Sequence, residues 1–112
     1  MKQQQQYYCG LAAALGVIGG KWKALILWEI SIQPRRFGEL RRLVPGISEK
    51  MLIQQLREME ADGFVHREVF VEVPPRVEYS VTELGASLNE ALIPLCVWGE
   101  QHIQEITARR CE

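Results

Sequence analysis

The chain of 112 residues has the size of one domain, with 47% hydrophobic residues, 24% charged residues and a formal net charge of −1. This composition excludes a disordered or fibrous chain, and no apolar run approaches the ~20 residues of a membrane span. The sequence also starts without the apolar region of a signal peptide. We therefore predict a soluble, cytoplasmic protein that does not enter a membrane and forms a single domain over residues 1–112.

Cysteine and histidine usage gives no sign of catalysis or metal binding. Cys9, Cys96 and Cys111 include no C-x-x-C pair, which argues against a disulfide framework or a zinc knuckle. His66 and His102 stand apart from each other and from any nucleophile at a recognisable spacing. We predict that the protein is not an enzyme and that it has no catalytic residues, no metal site and no cofactor.

The first predicted helix covers residues 7–18, which are mostly small and apolar, and the glycine pair at 19–20 ends it. A second helix follows in KWKALILWEIS, residues 21–31, where apolar side chains occupy every face. A helix of this kind is expected at the centre of a fold, so we predict that Trp22 and Trp28 lie in the core. A ligand cage built on these tryptophans is the alternative.

Residues 34–62 predict a helix-turn-helix. Apolar residues recur at three- and four-residue steps in two segments, and the Pro-Gly pair at 45–46 separates the segments. Ser48 stands where an N-cap hydroxyl would accept a backbone N–H of the second helix. Opposite the apolar stripe of that helix lie three long polar side chains, Lys50, Gln54 and Arg57.

Basic residues are concentrated in this stretch. Between residues 35 and 57, six Lys or Arg residues and two acidic residues give a local charge of +4, although the whole chain sums to −1. Such asymmetry favours a polyanion, and we predict double-stranded DNA; a two-helix unit with ordinary solvated charges is the alternative. The predicted DNA contacts from this stretch are Arg35, Arg36, Arg41, Ser48, Lys50, Gln54 and Arg57.

A β-ribbon, or wing, is predicted over residues 64–82. Gly63 ends the preceding helix, and two strand-like segments are separated by prolines at 74–75. Prolines cannot donate to a β-ladder, so they belong at the turn, where they hold Arg76 near the tip. We predict that Arg76 contacts DNA phosphates; for Arg67, a phosphate contact and an ordinary solvated strand charge both stay open.

The last predicted element is a long helix over residues 83–109 with Thr82 as its N-cap. Pro94 and Gly99 predict a kink or a local break in it. Its apolar surface, together with that of the first helix, exceeds what one protomer can cover, so we predict a homodimer; packing onto the protein's own core is the alternative. The predicted interface residues are Leu11, Leu15, Leu88, Leu92, Leu95 and Trp98.

The predicted order of elements is that of a winged helix-turn-helix: an α+β fold, mainly α, with a two-stranded wing and N- and C-terminal dimerisation helices. The chain also resembles the HxlR-type transcriptional regulators, in IGGKW at 18–22, RRFGELRR at 35–42, PGISEKML at 45–52, LREMEADGFVHR at 56–67 and VPPRVEYSVTELG at 73–85. The resemblance implies a homodimeric bacterial DNA-binding regulator. Its second motif helix would enter the major groove, and its wing would lie along the backbone or minor groove.

Cys9, at the start of the first helix, is the candidate sensor. In the resembling family a cysteine near this place serves as a sensor in some members, although here Gly10 follows it where many members have proline. A helix N-terminus stabilises the thiolate, the form that reacts with oxidants and electrophiles. The alternatives are a buried, packing Cys9 with an unknown small-molecule effector, and a winged helix used for protein–protein contact. Cys96 is predicted to pack, and Cys111 to react without consequence.

Overall fold

Residues 7–110 are the part of the chain that the computed structural model describes, and Cys111 lies outside it. The elements within this part are α1 Gly10–Ile18, α2 Lys23–Ile32, β1 Arg35–Arg36, α3 Phe37–Leu43, α4 Glu49–Ala61, β2 Val65–Phe70, β3 Arg76–Val81 and α5 Glu83–Arg110. The predicted fold class, α+β with mainly α structure and a winged helix-turn-helix order, is confirmed. The first helix begins at Gly10, three residues later than residue 7 where the sequence placed it.

The core lies between α2, α3, α4 and the base of the sheet. Its buried side chains are Ile26, Leu27, Ile30, Leu40, Val44, Ile47, Leu52, Leu56, Met59, Phe64 and Val65. The prediction for Trp28 was wrong: this side chain is 37% exposed, whereas Trp22 is half-buried against the core. Because α2 is apolar on every face, its sequence does not show which face points inward.

The turn chemistry of the helix-turn-helix is as predicted. α3 ends at Leu43, and Gly46 has a φ of +87°, a left-handed conformation that favours glycine. The Ser48 hydroxyl accepts the backbone N–H of Met51 at 3.1 Å and so caps α4. α4 ends where Gly63 turns the chain with a φ of +84°. These local signals fix the length and start of α4, the helix with the polar outer face.

The sheet has three antiparallel strands in the order β1-β3-β2. β2 and β3 form the predicted ribbon, with Val65 opposite Val81 and Phe70 opposite Arg76. β1 was not predicted, because two residues are too short for a periodic pattern and their partner strand lies far along the chain. Its pairing of Arg35 with Tyr79 joins the start of the helix-turn-helix to the wing.

α5 is a continuous helix of 28 residues, so the predicted break at Pro94 and Gly99 is absent, and the predicted kink stays a prediction. A proline removes one backbone hydrogen bond, and the bonds on either side maintain the helix. Thr82 caps α5 as predicted, because its Oγ1 accepts the Gly85 N–H at 3.0 Å. The same hydroxyl donates to the Gly63 carbonyl at 2.6 Å, which ties the end of α4 to the start of α5.

Within residues 7–110, no single helix combines the length and apolar character that crossing a bilayer requires. The pair Gly10–Ile18 and Lys23–Ile32 meets the test jointly, but the two helices are bent by 80° at the break between them.

Candidate nucleic-acid interface

α4 separates its apolar and polar side chains onto opposite faces. Leu52, Leu56 and Met59 are buried in the core. Lys50, Gln54 and Arg57 are exposed on the other face, spaced so that they form one row along the helix. Neither Lys50 nor Arg57 forms an ion pair within the described residues, so both charges are available to a partner.

Carboxylates border this row and restrain some of its neighbours. Gln54 Nε2 donates to Glu58 Oε2 at 3.2 Å, and Glu58 Oε1 lies 2.7 Å from Lys23 Nζ. At the other end of α4, Arg41 of α3 lies 3.8 Å from Glu49 and keeps about half of its side chain exposed (47%). This surface therefore carries carboxylate acceptors as well as cations.

A cleft of about 420 Å³ lies between α4 and the wing. Arg57 of α4 and Arg67 of β2 both line it, and Tyr79 of β3 lies across from Arg67 in the strand register. The sequence left Arg67 undecided and did not single out Tyr79, whose alternating position in a strand gave no signal of its own. The fold brings the two arginines to one concave surface.

Arg76, which the sequence predicts to contact DNA phosphates from the wing tip, forms ion pairs within the protomer. Its guanidinium lies 3.5 Å from Glu72 and 3.2 Å from Glu78, and it stacks on the Phe70 ring at 4.1 Å. Only 28% of its side chain is exposed. Two carboxylates compensate its charge, so the local geometry favours a role for Arg76 in holding the ribbon together.

Arg35 and Arg36 also differ from each other. Arg35 is 12% exposed, donates from Nε to the Glu29 carbonyl at 3.0 Å and lies 3.5 Å from the Glu29 carboxylate. It therefore links β1 to α2. Arg36 is exposed, and its backbone N–H donates to Glu39 Oε1 at 2.8 Å, so its side chain is the freer of the two.

The predicted dimer residues fall into two groups. Leu88 and Leu92 are half-buried against the protein's own core. The others are more than half exposed in the protomer: Leu11 69%, Leu15 55%, Leu95 62% and Trp98 52%. α1 has no buried residue, and α5 has only Gly85.

Two cysteines are solvent-accessible in the described part of the chain. Cys9 immediately precedes α1 and is exposed, so the alternative of a buried, packing Cys9 is wrong for the protomer. Cys96, predicted to pack, is exposed as well, with Sγ 3.9 Å from Glu100 Oε1. Residues 7–110 contain no group of three or more His, Cys, Asp or Glu residues that could hold a metal ion.

Comparison with known proteins agrees with this architecture. The family model described as HxlR-like helix-turn-helix matches residues 17–107. The HTH-type transcriptional regulator YtcD of Bacillus subtilis is 48% identical over 104 residues, which cover 93% of this chain and 82% of that protein. The redox regulator HypR in its reduced form superimposes with a TM-score of 0.83 at 44% identity, covering 89% of this chain and 99% of HypR. Reduced YodB, a transcriptional regulator of B. subtilis, gives a TM-score of 0.74 at 33% identity, with coverages of 85% and 94%. The relatives are transcriptional regulators rather than enzymes, and the chain belongs to the HxlR-like helix-turn-helix family of transcriptional regulators.

Proposed function

We propose that the protein is a cytoplasmic, sequence-specific DNA-binding regulator that acts as a homodimer on a palindromic operator. The observation that carries the proposal is the exposed row of Lys50, Gln54 and Arg57 opposite the buried face of α4. In a helix-turn-helix, the second helix lies in the major groove. Lys50 and Gln54 then reach base edges, while Ser48, Arg57 and Arg41 contact phosphates.

The wing contributes through Arg67 in this proposal. Arg67 lines the same cleft as Arg57, so both residues can approach one stretch of DNA backbone beside α4. Arg76 has a smaller role, because Glu72 and Glu78 already compensate its charge. The wing therefore contacts DNA along its α4-facing side.

Residues 7–18 and 83–109 form the dimer interface in this proposal. The support is the exposed apolar surface of α1 and α5, to which Trp98 contributes its indole ring. A two-fold dimer requires a palindromic operator, and its half-sites should lie about one helical turn, ~10 bp, apart.

Selection of bound sequences from random DNA, followed by titrations at several salt concentrations, tests the proposal. We expect a palindrome and a binding constant that falls linearly with salt on logarithmic axes, by about 0.9 in slope for each phosphate contact. Lys50→Ala should weaken the selected site, whereas Lys21→Ala, an exposed lysine outside the helix-turn-helix, should not. Failure to select any DNA would instead favour a winged helix that binds another protein.

A thiol response at Cys9 is a second proposed property. Cys9 is exposed at the start of α1 without a side-chain capping bond, and HypR is described as a redox regulator. Diamide or a quinone should release wild-type protein from DNA, whereas Cys9→Ser should bind and resist. Cys96→Ser is the matched control, because Cys96 is also exposed. Equal responses of wild type and Cys9→Ser would exclude Cys9 as the switch and point to a noncovalent effector.

A further inference from the structure

We infer that Glu58, held in place by Lys23, orients the Gln54 side-chain amide so that α4 selects adenine at one operator position. The inference rests on the proposed function, because it assumes that the outer face of α4 meets base edges. It assigns specificity to a pair of residues, Glu58 and Lys23, that need not touch the DNA.

First, the contact with Glu58 sets the direction of the Gln54 side-chain amide. Gln54 Nε2 lies 3.2 Å from Glu58 Oε2. An ionised carboxylate only accepts hydrogen bonds, so the group that faces it must be the NH₂ end of Gln54. One N–H of that amide is thereby committed inside the protein.

The second step is the restraint on Glu58. Its other oxygen, Oε1, lies 2.7 Å from Nζ of Lys23, the first residue of α2. The Lys23 side chain is only 12% exposed, so it is confined by its surroundings and cannot swing freely. The carboxylate is thus held between an ammonium on α2 and an amide on α4, both within hydrogen-bond distance.

The third step is the match to a base. With one N–H committed, Gln54 keeps one N–H and its carbonyl Oε1, a donor beside an acceptor. Adenine presents the complementary pair in the major groove, N7 as acceptor and the N6 amino group as donor, whereas guanine presents two acceptors, N7 and O6. An unrestrained amide could turn both N–H groups toward guanine. The nearby Glu58 carboxylate also repels guanine O6 but not an amino group.

The alternative for this contact is an ordinary pair on a helix surface. Residues four apart on a helix commonly form such bonds, which contribute a small amount to helix stability. A stabilising role alone would leave the base preference unchanged when Glu58 is removed. The preference for adenine over guanine therefore separates the two roles.

The experiment uses the operator selected by the wild-type protein and measures affinity for adenine and guanine at the position whose preference Gln54→Ala abolishes. Wild type should favour adenine by about tenfold or more, the discrimination typical of a bidentate contact. Glu58→Ala should reduce that ratio below about threefold while the remaining positions keep their preferences. Lys23→Met should lower the ratio partially, because the carboxylate loses its ion pair with Lys23.

Glu60→Ala is the matched control, since it removes the same charge from an exposed position on the same helix and should keep the wild-type ratio. Replacing the adenine with 7-deazaadenine provides a second readout: it should weaken wild type but not Gln54→Ala, because only N7 is lost. If Gln54→Ala alters a position while Glu58→Ala and Lys23→Met leave its ratio unchanged, the inference is overturned and the proposed function stands. If wild type selects no DNA sequence, the proposed function itself fails and the inference fails with it.

Discussion

The apolar stripe of α4 is buried in the protomer, whereas the apolar side chains on the outer face of α5 are exposed. Leu52 of α4 is fully buried, whereas Leu95 of α5 is 62% exposed. The helix-turn-helix half thus covers its own apolar stripe, while α1 and the outer face of α5 leave theirs in solvent. An exposed apolar surface is a candidate contact site. Under the proposed function, DNA reading and dimerisation belong to separate halves of the molecule, so mutations can address them one at a time.

We expect the largest effect on stability in the helix-turn-helix half, whose apolar stripe is buried. Leu52→Ala should lower the free energy of unfolding by about 2–5 kcal/mol, because it removes buried methyl groups and leaves a cavity. Leu43→Ala is the control, since Leu43 is 39% exposed and should cost much less. Denaturant unfolding measures both. Equal losses of unfolding free energy in the two variants would contradict the distinction between buried and exposed leucines.

The next largest effect is expected on dimerisation, through the exposed apolar side chains of α1 and α5. The wild-type protein should have twice its chain mass of 12.9 kDa by light scattering. Trp98→Ala should weaken dimerisation by about 2 kcal/mol or more, roughly 30-fold in the dimer Kd, because large aromatic side chains dominate interface energies. Val69→Ala on the wing, 50% exposed in the protomer, should leave the dimer intact. A wild-type monomer at micromolar concentration would contradict the assignment of α5 to an interface.

A third prediction addresses the junction between the halves. A Cβ at Gly85 would lie 2.8 Å from Val81 Cγ2 and closer still to the Phe64 carbonyl oxygen, so Gly85→Ala should cost about 1–3 kcal/mol of stability through overpacking. Gly99→Ala is the control in the same helix: a Cβ there meets nothing within 4 Å, and the change should stabilise by about 0.5–1 kcal/mol. Thermal unfolding measures both. Similar melting temperatures for the two variants would show that α5 does not depend on close approach to the wing.

The smallest effect is expected on the salt dependence of DNA binding, where Arg67 and Arg76 of the wing should differ. Arg67→Ala should lower the slope of log affinity against log salt by about 0.9, because one phosphate contact is lost. Arg76→Ala should change the slope less, since Glu72 and Glu78 already compensate this charge. The DNA titrations that give these slopes use the selected operator. A larger effect for Arg76 would restore the expectation drawn from the sequence.

The features predicted correctly depend on neighbours in the chain. Ser48, Gly63 and Thr82 end or begin helices through bonds that span only a few residues, or through the local backbone conformation, and their residue types report that chemistry. The inner and outer faces of α4 follow from helical spacing, which is equally local. The order of the winged helix could therefore be predicted from the sequence.

The features missed depend on contacts between distant residues or on which of several neighbouring side chains meet in the fold. β1 exists because Arg35 pairs with Tyr79, which no local pattern indicates. The sequence shows acids near Arg76, but only the fold shows that both Glu72 and Glu78 reach its guanidinium. The bond between Lys23 and Glu58 likewise joins separate helices. Whether an arginine meets a ligand or holds the fold therefore depends on side-chain contacts that only the structure shows.

The Thr82 hydroxyl bonds both to Gly63, just after α4, and to Gly85, in the first turn of α5. These two bonds hold the end of α4 close to the start of α5. α5 contains 28 residues and is therefore about 42 Å long, at about 1.5 Å of rise per residue. A tilt of about 5° over this length displaces its end by roughly 3–4 Å, close to the ~3.4 Å rise of one base pair. In the proposed dimer, a small change of angle between the two copies of α5 would therefore alter the separation of the two α4 helices by about the rise of one base pair.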